Sequence, residues 1–225
     1  MQETKHGLLD NFALKMIAII TMTIDHIGYI FVPRGTTMYT AFRGIGRIAF
    51  PIFCFLIVEG FHHTKSPVNY LIRLSLFALI SEIPFDLAFF NINFDWTHQN
   101  VFFTLAIGLA CLFCLEEAKT KRWFGIFLFV LFGLAYLIRC DYGVGGVLLI
   151  CMFYFTSEFK DRFWMQLILS GLIFLVFFGS NELPGLIAIL LIGLYNGKRG
   201  FNKAQWFFYL YYPLHLLILH AIYLH

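Results

Sequence analysis

Four ionisable side chains stand inside segments that are otherwise apolar, and their types suit proton transfer. Asp25 and His26 lie in the first long apolar segment, and Glu82 and Asp86 lie near the end of the third one. An ionisable side chain in a membrane span costs roughly 2.5–3.5 kcal/mol, so each one requires a compensating role. Because an unperturbed imidazole titrates near 6.5, His26 is able to accept and return a proton at neutral pH. We therefore predict a catalytic site with His26 as general base, together with Asp25 and Glu82.

The partner that orients His26 is expected to come from another helix. Adjacent helical residues point about 100° apart, so Asp25 does not share a face with His26. Glu82 and Asp86 are the nearest candidates by depth, and we expect at least one to pair with His26 or an arginine. His215, in the last apolar segment, is the competing histidine. It is expected to order a substrate channel or to bond across helices.

Further polar residues are predicted to bind the substrate. They are Arg43, Arg47, Asp86, Gln99, Asn100 and His215. Arginine and amide side chains donate hydrogen bonds, so this set is suited to binding a polar substrate or polarising a carbonyl group. Taken singly, each residue also fits a salt bridge between helices or a position at the membrane interface.

The elements that must position these residues are membrane helices. Hydrophobic residues make up 60% of the 225 residues, and charged ones only 13%, against roughly 25% in soluble domains. This composition excludes a soluble enzyme, a disordered chain and a secreted disulfide scaffold. Apolar runs of about 20 residues predict nine transmembrane helices, at 13–33, 46–64, 67–89, 99–117, 123–139, 142–157, 164–180, 183–196 and 204–224. The sequence predicts an all-α, polytopic integral membrane protein, with a single domain over residues 1–225.

Lysine and arginine residues predict the orientation, because they are retained on the cytoplasmic side. With nine crossings, twelve lie on the side of the N-terminus: Lys5, Lys15, Lys65, Arg73, Lys119, Lys121, Arg122, Lys160, Arg162, Lys198, Arg199 and Lys203. The other four are Arg34, Arg43, Arg47 and Arg139. We predict a multi-pass plasma-membrane protein with a cytoplasmic N-terminus and an external C-terminus. Lys119, Lys121 and Arg122 are candidates to receive the phosphates of a cytoplasmic cofactor.

Two classes of partner are not expected. The net charge of +3 is too balanced for a nucleic-acid-binding protein. The five cysteines lie in or beside apolar runs, as small hydrophobic residues do. Cys111 and Cys114 form a CxxC pair, but no further Cys or His stands at ligand spacing, so no metal site is predicted.

Several segments resemble one family of membrane proteins. They are ALKMIAIITMTIDHIGYIF, FRGIGRIAFPIFCFLIVEGFHHTK, SEIPFDLAF, QNVFFTLAIG and YYPLHLLIL, and together they are most similar to the TraX family, whose namesake N-acetylates F-pilin. The resemblance implies a transmembrane acyltransferase fold related to the lysosomal heparan-α-glucosaminide N-acetyltransferase. In that fold, cytoplasmic acetyl-CoA is the donor and an embedded histidine the catalyst. By this resemblance His26 is the catalytic position, and Lys15, eleven residues earlier, is expected to bind acetyl-CoA.

Three functions stay open at this point. The leading one is an acyl-CoA-dependent N- or O-acetyltransferase, which moves acetyl to an amine or hydroxyl at the outer face, such as a peptide N-terminus or a glycan. A transporter or flippase would also carry polar residues in Gly-interrupted helices, but it predicts internal repeats, and we find none. A non-catalytic membrane subunit of a secretion or conjugation assembly would need no polar cavity.

Overall fold

The computed structural model describes residues 7–201 and 205–224. Within these ranges the chain forms ten α-helices and one 3-10 segment, with two isolated β-bridges and no strand. The helices are α1 Asn11–Phe31, α2 Thr37–Gly46, α3 Ala49–His63, α4 Pro67–Phe90, α5 Val101–Ala118, α6 Phe124–Leu137, α7 Gly143–Thr156, α8 Arg162–Phe177, α9 Ile187–Gly193 and α10 Gln205–Tyr223. The 3-10 segment, Ser180–Leu186, leads into α9. The predicted all-α fold is confirmed for the described residues.

Three helical segments among the described residues are long and apolar enough to cross a membrane. They are α1, the continuous stretch Thr37–His63, and α5. Four shorter apolar segments follow, namely α6, α7, α8 and Ser180–Gly193. The chain therefore has the helices of a membrane protein, while nine crossings and the orientation of the termini stay predictions. Lys5, Lys203, residue 204 and the two chain ends lie outside the described residues.

The second and eighth predicted spans differ from the observed helices. Helical structure begins at Thr37 and not near residue 46, because α2 precedes α3. The Thr36 side chain caps α2 by accepting a hydrogen bond from the Tyr39 backbone N–H at 3.1 Å. The sequence of α2, TMYTAFRGIG, mixes polar and apolar residues, so hydropathy alone does not mark it. The eighth span is split into the 3-10 segment, which contains Pro184, and the short α9.

Side-chain caps fix where the helices around the polar residues begin. Asp10 accepts a hydrogen bond from Ala13 N–H at 2.8 Å and starts α1. Asn100 accepts one from Phe102 N–H at 3.0 Å and starts α5. Ser66 caps α4, with Pro67 in the first turn. These local signals set the register of the helices that carry His26, Glu82 and Val101.

The helices pack with α1, α3 and α5 near the centre of the bundle. Helix α1 packs against α2, α3 and α10, and α5 packs against α3, α4, α6 and α7. Helix α6 packs on α5 and α7 at the periphery, where Ala135 is its one buried residue. The loops before α5 and α7 pair through Asp141 N–H and Gln99 C=O at 2.8 Å. This packing brings the end of α4 and both of these loops beside the last turns of α1.

Candidate functional site

A small polar cavity lies beside the second half of α1. Its volume is about 180 Å³, and we call it the histidine cavity. Its principal lining residues are Met22, Asp25, His26, Arg43, Arg47, Phe53, Phe89, His98, Val101, Asp141, Tyr142 and Tyr212. Residues from the first half, the middle and the end of the chain therefore meet at one site, with His26 in its wall.

His26 is hydrogen-bonded to His215. The His26 Nδ1 and His215 Nε2 atoms are 2.7 Å apart. The two ring planes are only 9° from parallel, and their centroids are 5.0 Å apart. His26 is 9% exposed and His215 6%, so water hardly competes for this bond. The partner of His26 thus comes from another helix, as expected, and it is His215 on α10. Of the two roles expected for His215, the structure shows the bond across helices.

The hydrogen-bond network assigns the tautomers of both rings. His215 Nδ1 lies 2.9 Å from the backbone carbonyl of Tyr211. A carbonyl only accepts, so His215 Nδ1 carries the hydrogen and its Nε2 is the acceptor. His26 Nδ1 then donates to His215, which leaves the lone pair of neutral His26 on Nε2. This is the form that a general base requires.

Glu82 and Asp86 do not orient His26, and the prediction that one of them pairs with His26, Arg43 or Arg47 is wrong within the described residues. Glu82 accepts hydrogen bonds from the side chain and the backbone N–H of Asn100. Asp86 accepts one from the Asp95 N–H at 2.7 Å. Neither carboxyl group lines the histidine cavity. Both carboxyl groups face the loop between α4 and α5, whereas Phe89 of the same helix packs against His26 on α1.

Asp25 is paired with two arginines at the edge of the histidine cavity. Arg43 lies 2.6 Å from its carboxylate and Arg47 lies 3.7 Å away. Arg47 also contacts Glu182 at 2.7 Å and donates to the Tyr142 hydroxyl at 3.3 Å. The predicted neutralisation of these arginines by acids is present, with Asp25 and Glu182 as the acids. Asp25 touches the histidine cavity beside His26, but its geometry is that of an ion-pair partner.

Gly46 allows this ion-pair cluster to form between α1 and α2. A Cβ atom at Gly46 would collide with the side chain of Asp25. At Gly44, two residues earlier, the nearest atom to an added Cβ would be 3.8 Å away, in Pro184. Of these two glycines, Gly46 is therefore the one needed for the close approach of α2 to Asp25.

Gln99 and Asn100 hold the loop and helix start instead of lining the histidine cavity. The Gln99 side chain donates to the Asp95 carbonyl at 3.3 Å. Asn100 caps α5 and donates to the Ala78 carbonyl at 2.8 Å. Both were predicted to bind substrate, and neither lines the cavity. Their side-chain amides instead form hydrogen bonds with nearby backbone groups.

His98, Asp141 and Tyr142 line the histidine cavity, although the sequence analysis did not assign them to the site. His98 Nε2 lies 3.6 Å from the Asp141 carboxylate, and this carboxylate raises the pKa of His98. Tyr142 adopts a left-handed backbone conformation, with φ of 62°. Its ring stacks on Phe50 at a centroid distance of 3.6 Å. The sequence places His98 and Asp141 among the polar residues at the ends of apolar segments, but the pairing of their two loops is not readable from it.

A second and larger cavity lies toward the end of the bundle where α1 begins. Its volume is about 560 Å³, and we call it the basic cavity. Its charged and aromatic lining residues include Lys15, Glu59, Lys65, Tyr70, Arg73, Arg199, Phe201 and Phe208. Four cationic side chains thus face one carboxylate. Lys15, which the resemblance assigned to binding acetyl-CoA, also lines this cavity.

Lys119, Lys121 and Arg122 do not line the basic cavity, so the prediction that they bind the cofactor has no support from the geometry. Lys119 pairs with Glu116 at 2.8 Å, and Lys121 pairs with Glu117 at 3.6 Å. Their acids are three and four residues earlier on α5, so the pairs are local surface contacts. The arginines that line the basic cavity are instead Arg73 and Arg199.

The two cavities share one wall. Met22 on α1, Phe53 on α3, Val101 on α5 and Tyr212 on α10 line both of them. We call these four residues the shared wall. The part of the chain that the structure describes contains no group of three or more His, Cys, Asp or Glu side chains arranged to hold a metal ion.

Comparison with known proteins shows the family of the chain. The family model described as TraX protein matches residues 11–223. A protein named probable fimbrial assembly protein FimC, serogroup H1, from Dichelobacter nodosus is 31% identical, over 92% of this chain and 93% of its own length. Protein TraX from Escherichia coli is 27% identical, over 92% of this chain and 84% of its own. No solved structure matches the chain. The match over almost the whole described length, together with the first relative, shows that the chain belongs to the TraX family.

Proposed function

We propose that this chain is a membrane acyltransferase that moves an acetyl group from acetyl-CoA to an amine or hydroxyl acceptor. The observation that carries the proposal is the His26–His215 pair, which places an unprotonated ring nitrogen beside a wall shared with a cationic cavity. In this proposal the donor occupies the basic cavity and the acceptor enters the histidine cavity. The family of the chain is the second support, because the resemblance implies the same chemistry.

The residues of the basic cavity suit the donor. Acetyl-CoA carries several phosphates, and Lys15, Lys65, Arg73 and Arg199 supply positive charge where these would lie. The rings of Tyr70 and Phe208 hold two of these cations in place, because Arg73 lies over Tyr70 at 5.8 Å and Lys15 over Phe208 at 5.1 Å. The Arg73 Nε atom is buried without a hydrogen-bond partner among the described residues, so this atom has a donor available for a bound anion. A polyanionic thioester therefore fits this cavity.

His26 performs the proton transfers in the proposed reaction. Its Nε2 takes the proton from the acceptor N–H or O–H, while the acceptor lone pair forms a bond to the thioester carbonyl carbon. The carbon–sulfur bond then breaks, and the thiolate of CoA receives the proton from the His26 imidazolium. His215 accepts the hydrogen bond from His26 Nδ1 throughout, so the base keeps one orientation.

The relatives suggest where this activity is used. One relative is named a fimbrial assembly protein, so we propose that the acceptor here is a free amine on a subunit of a surface fibre. The positive-inside distribution of lysine and arginine supports a cytoplasmic basic cavity, and acetyl-CoA is a cytoplasmic metabolite.

The proposal is tested with purified protein, radiolabelled acetyl-CoA and a short peptide that has a free N-terminal amine. We expect acetylated peptide and free CoA thiol, and His26→Ala should lower the rate at least about 100-fold, as for loss of a general base. His220→Ala is the matched control, because His220 lies on α10 but lines neither cavity. Near-normal transfer by folded His26→Ala would contradict the mechanism. Movement of substrate across vesicles without acetylation would favour the transporter.

The donor site has its own test. Arg73→Gln and Arg199→Gln should each raise the KM for acetyl-CoA by about tenfold, the effect of losing one charged hydrogen bond. Lys119→Gln and Lys121→Gln remove the same charge outside the basic cavity and should leave this KM within about twofold of the wild type. If all four variants behave alike, the donor lies elsewhere.

A further inference from the structure

The shared wall separates a large cavity from a small one at the proposed catalytic base. Met22 stands four residues before His26 on α1, so both side chains lie on one face of the helix. The Tyr212 ring lies 6.2 Å from the His26 ring and 5.6 Å from that of His215. Phe53 and Val101 complete the boundary from α3 and α5. An acyl group that reaches His26 from the basic cavity must pass these four side chains.

The histidine cavity is small, and aromatic side chains pack closely around His26. The histidine cavity has about a third of the volume of the basic cavity. The Phe89 ring packs edge-on against His26 at a centroid distance of 5.0 Å. Met22 is 8% exposed and Tyr212 5%, so neither has room to move aside freely. Carbons added to the acyl chain would therefore meet the shared wall itself.

We propose that the shared wall selects the acyl chain, and that Met22 and Phe53 restrict the donor to acetyl. This inference rests on the proposed function, since it names which thioester the same site accepts. Met22 and Phe53 are the residues that set the limit, because neither hydrogen bonds to the histidine pair. Val101 begins α5, and Tyr212 packs against both histidines, so these two also support the catalytic geometry.

The magnitude expected follows from the size of one methylene group. Fitting or excluding one methylene in an apolar pocket changes specificity by roughly 10–200-fold. Phe53→Ala removes most of a ring, and Met22→Ala removes a flexible chain. Each should therefore make room for two extra methylenes, the difference between acetyl and butyryl.

The test compares acetyl-CoA with butyryl-CoA as donors to the same peptide. We expect wild-type protein to prefer acetyl-CoA, and Phe53→Ala and Met22→Ala to raise the ratio of butyryl to acetyl kcat/KM at least about tenfold. Ile52→Ala is the matched control, because Ile52 is a buried neighbour on α3 that lines neither cavity. Its ratio should equal that of the wild type. Phe53→Leu, a smaller change in volume, replaces Phe53→Ala if the latter does not fold.

The outcomes separate this inference from the proposed function. Absence of transfer from every acyl-CoA by wild-type protein would overturn the proposed function and the inference together. Acetyl transfer by all variants with an unchanged butyryl ratio would overturn the role of the shared wall alone. Equal use of acetyl-CoA and butyryl-CoA by wild-type protein would also overturn it.

Discussion

At the scale of single residues, the pairing of two histidines fixes the tautomer that the proposed reaction requires of a buried imidazole. A neutral imidazole has one N–H and one lone pair, and the network decides which nitrogen carries each. The Tyr211 carbonyl fixes His215, and His215 in turn fixes His26. In the proposed reaction His215 is therefore a positioning residue, since it acts through His26.

We predict that His215→Leu lowers kcat by about 10- to 100-fold and leaves the KM for acetyl-CoA nearly unchanged. Leucine has no acceptor for the His26 Nδ1–H, so His26 loses its fixed tautomer and orientation. His215→Gln keeps an acceptor oxygen and should recover part of the rate. Steady-state kinetics on both folded variants check this expectation. Equal losses in the leucine and glutamine variants would show that His215 is needed only for packing.

A second prediction at this scale concerns pH and the pair of His98 and Asp141. The Asp141 carboxylate raises the pKa of His98, with smaller contributions of the same sign from Glu82 and Asp95. The folded protein therefore binds the His98 proton more tightly than the unfolded chain does. The resulting stability is complete below the ordinary histidine pKa of about 6.5 and is lost as pH rises through the folded pKa.

The measurement is thermal unfolding of detergent-solubilised protein across neutral pH. The pair is about half exposed, so we expect at most about 1 kcal/mol of stability to be lost on raising the pH. Asp141→Asn should flatten that part of the curve and should be less stable than the wild type mainly at low pH. A wild-type curve that rises with pH in step with His98 titration would contradict the assignment.

His26 and His215 were predictable from the sequence because ionisable residues in apolar segments are costly. Their hydrogen bond was not predictable in detail, because it depends on how α1 and α10 pack across 189 positions of the chain. The same limit explains why Glu82 was matched with the wrong partner. Depth in a helix is readable from sequence, while the direction that a helix face takes in the bundle is not.

At the scale of elements, α2 carries the ion-pair cluster to α1. It is short and mixed in polarity, which is why a search for apolar runs begins the second span after it. Long apolar helices such as α1 and α5 are predictable, since a run of apolar residues is itself the signal. The contact between α1 and α2 depends instead on small residues, with Gly46 against Asp25 and Gly28 against Phe42.

We predict that Gly46→Ala destabilises the protein and that Gly44→Ala does not. The added methyl at position 46 would strike Asp25 and separate it from Arg43, whereas the space beside Gly44 is open. Both changes gain up to about 1 kcal/mol of helix propensity, so any difference between them reports the contact with α1. Thermal unfolding of the two variants side by side gives the answer. Equal stability of both would show that α2 does not pack on Asp25 as described.

At the scale of the whole molecule, two unequal cavities meet at one wall, and four lysine and arginine side chains line the larger one against two in the smaller. Lys15, Lys65, Arg73 and Arg199 line the basic cavity, and all four are among the residues that predict the cytoplasmic side. Arg43 and Arg47 lie at the histidine cavity in pairs with Asp25 and Glu182. The charge pattern from which the orientation is predicted thus also distinguishes the two cavities.

This division predicts a topology in which the two chain ends lie on opposite sides of the membrane. A reporter that is active only in the cytoplasm should be active when fused before α1 and inactive when fused after α10. The reason is that nine crossings place all lysines on one side. Activity of both fusions would mean that one of the shorter segments, such as Ser180–Gly193, does not cross.

The most direct test of acyl transfer between the cavities is a vesicle experiment with the two substrates on opposite sides. Purified protein is reconstituted into liposomes, radiolabelled acetyl-CoA is added outside only, and a peptide with a free N-terminal amine is trapped inside. We predict that label appears on the trapped peptide and that His26→Ala lowers this signal at least about 100-fold. Label on the peptide only when both substrates share one side, or no label in either arrangement, would contradict transfer through the shared wall.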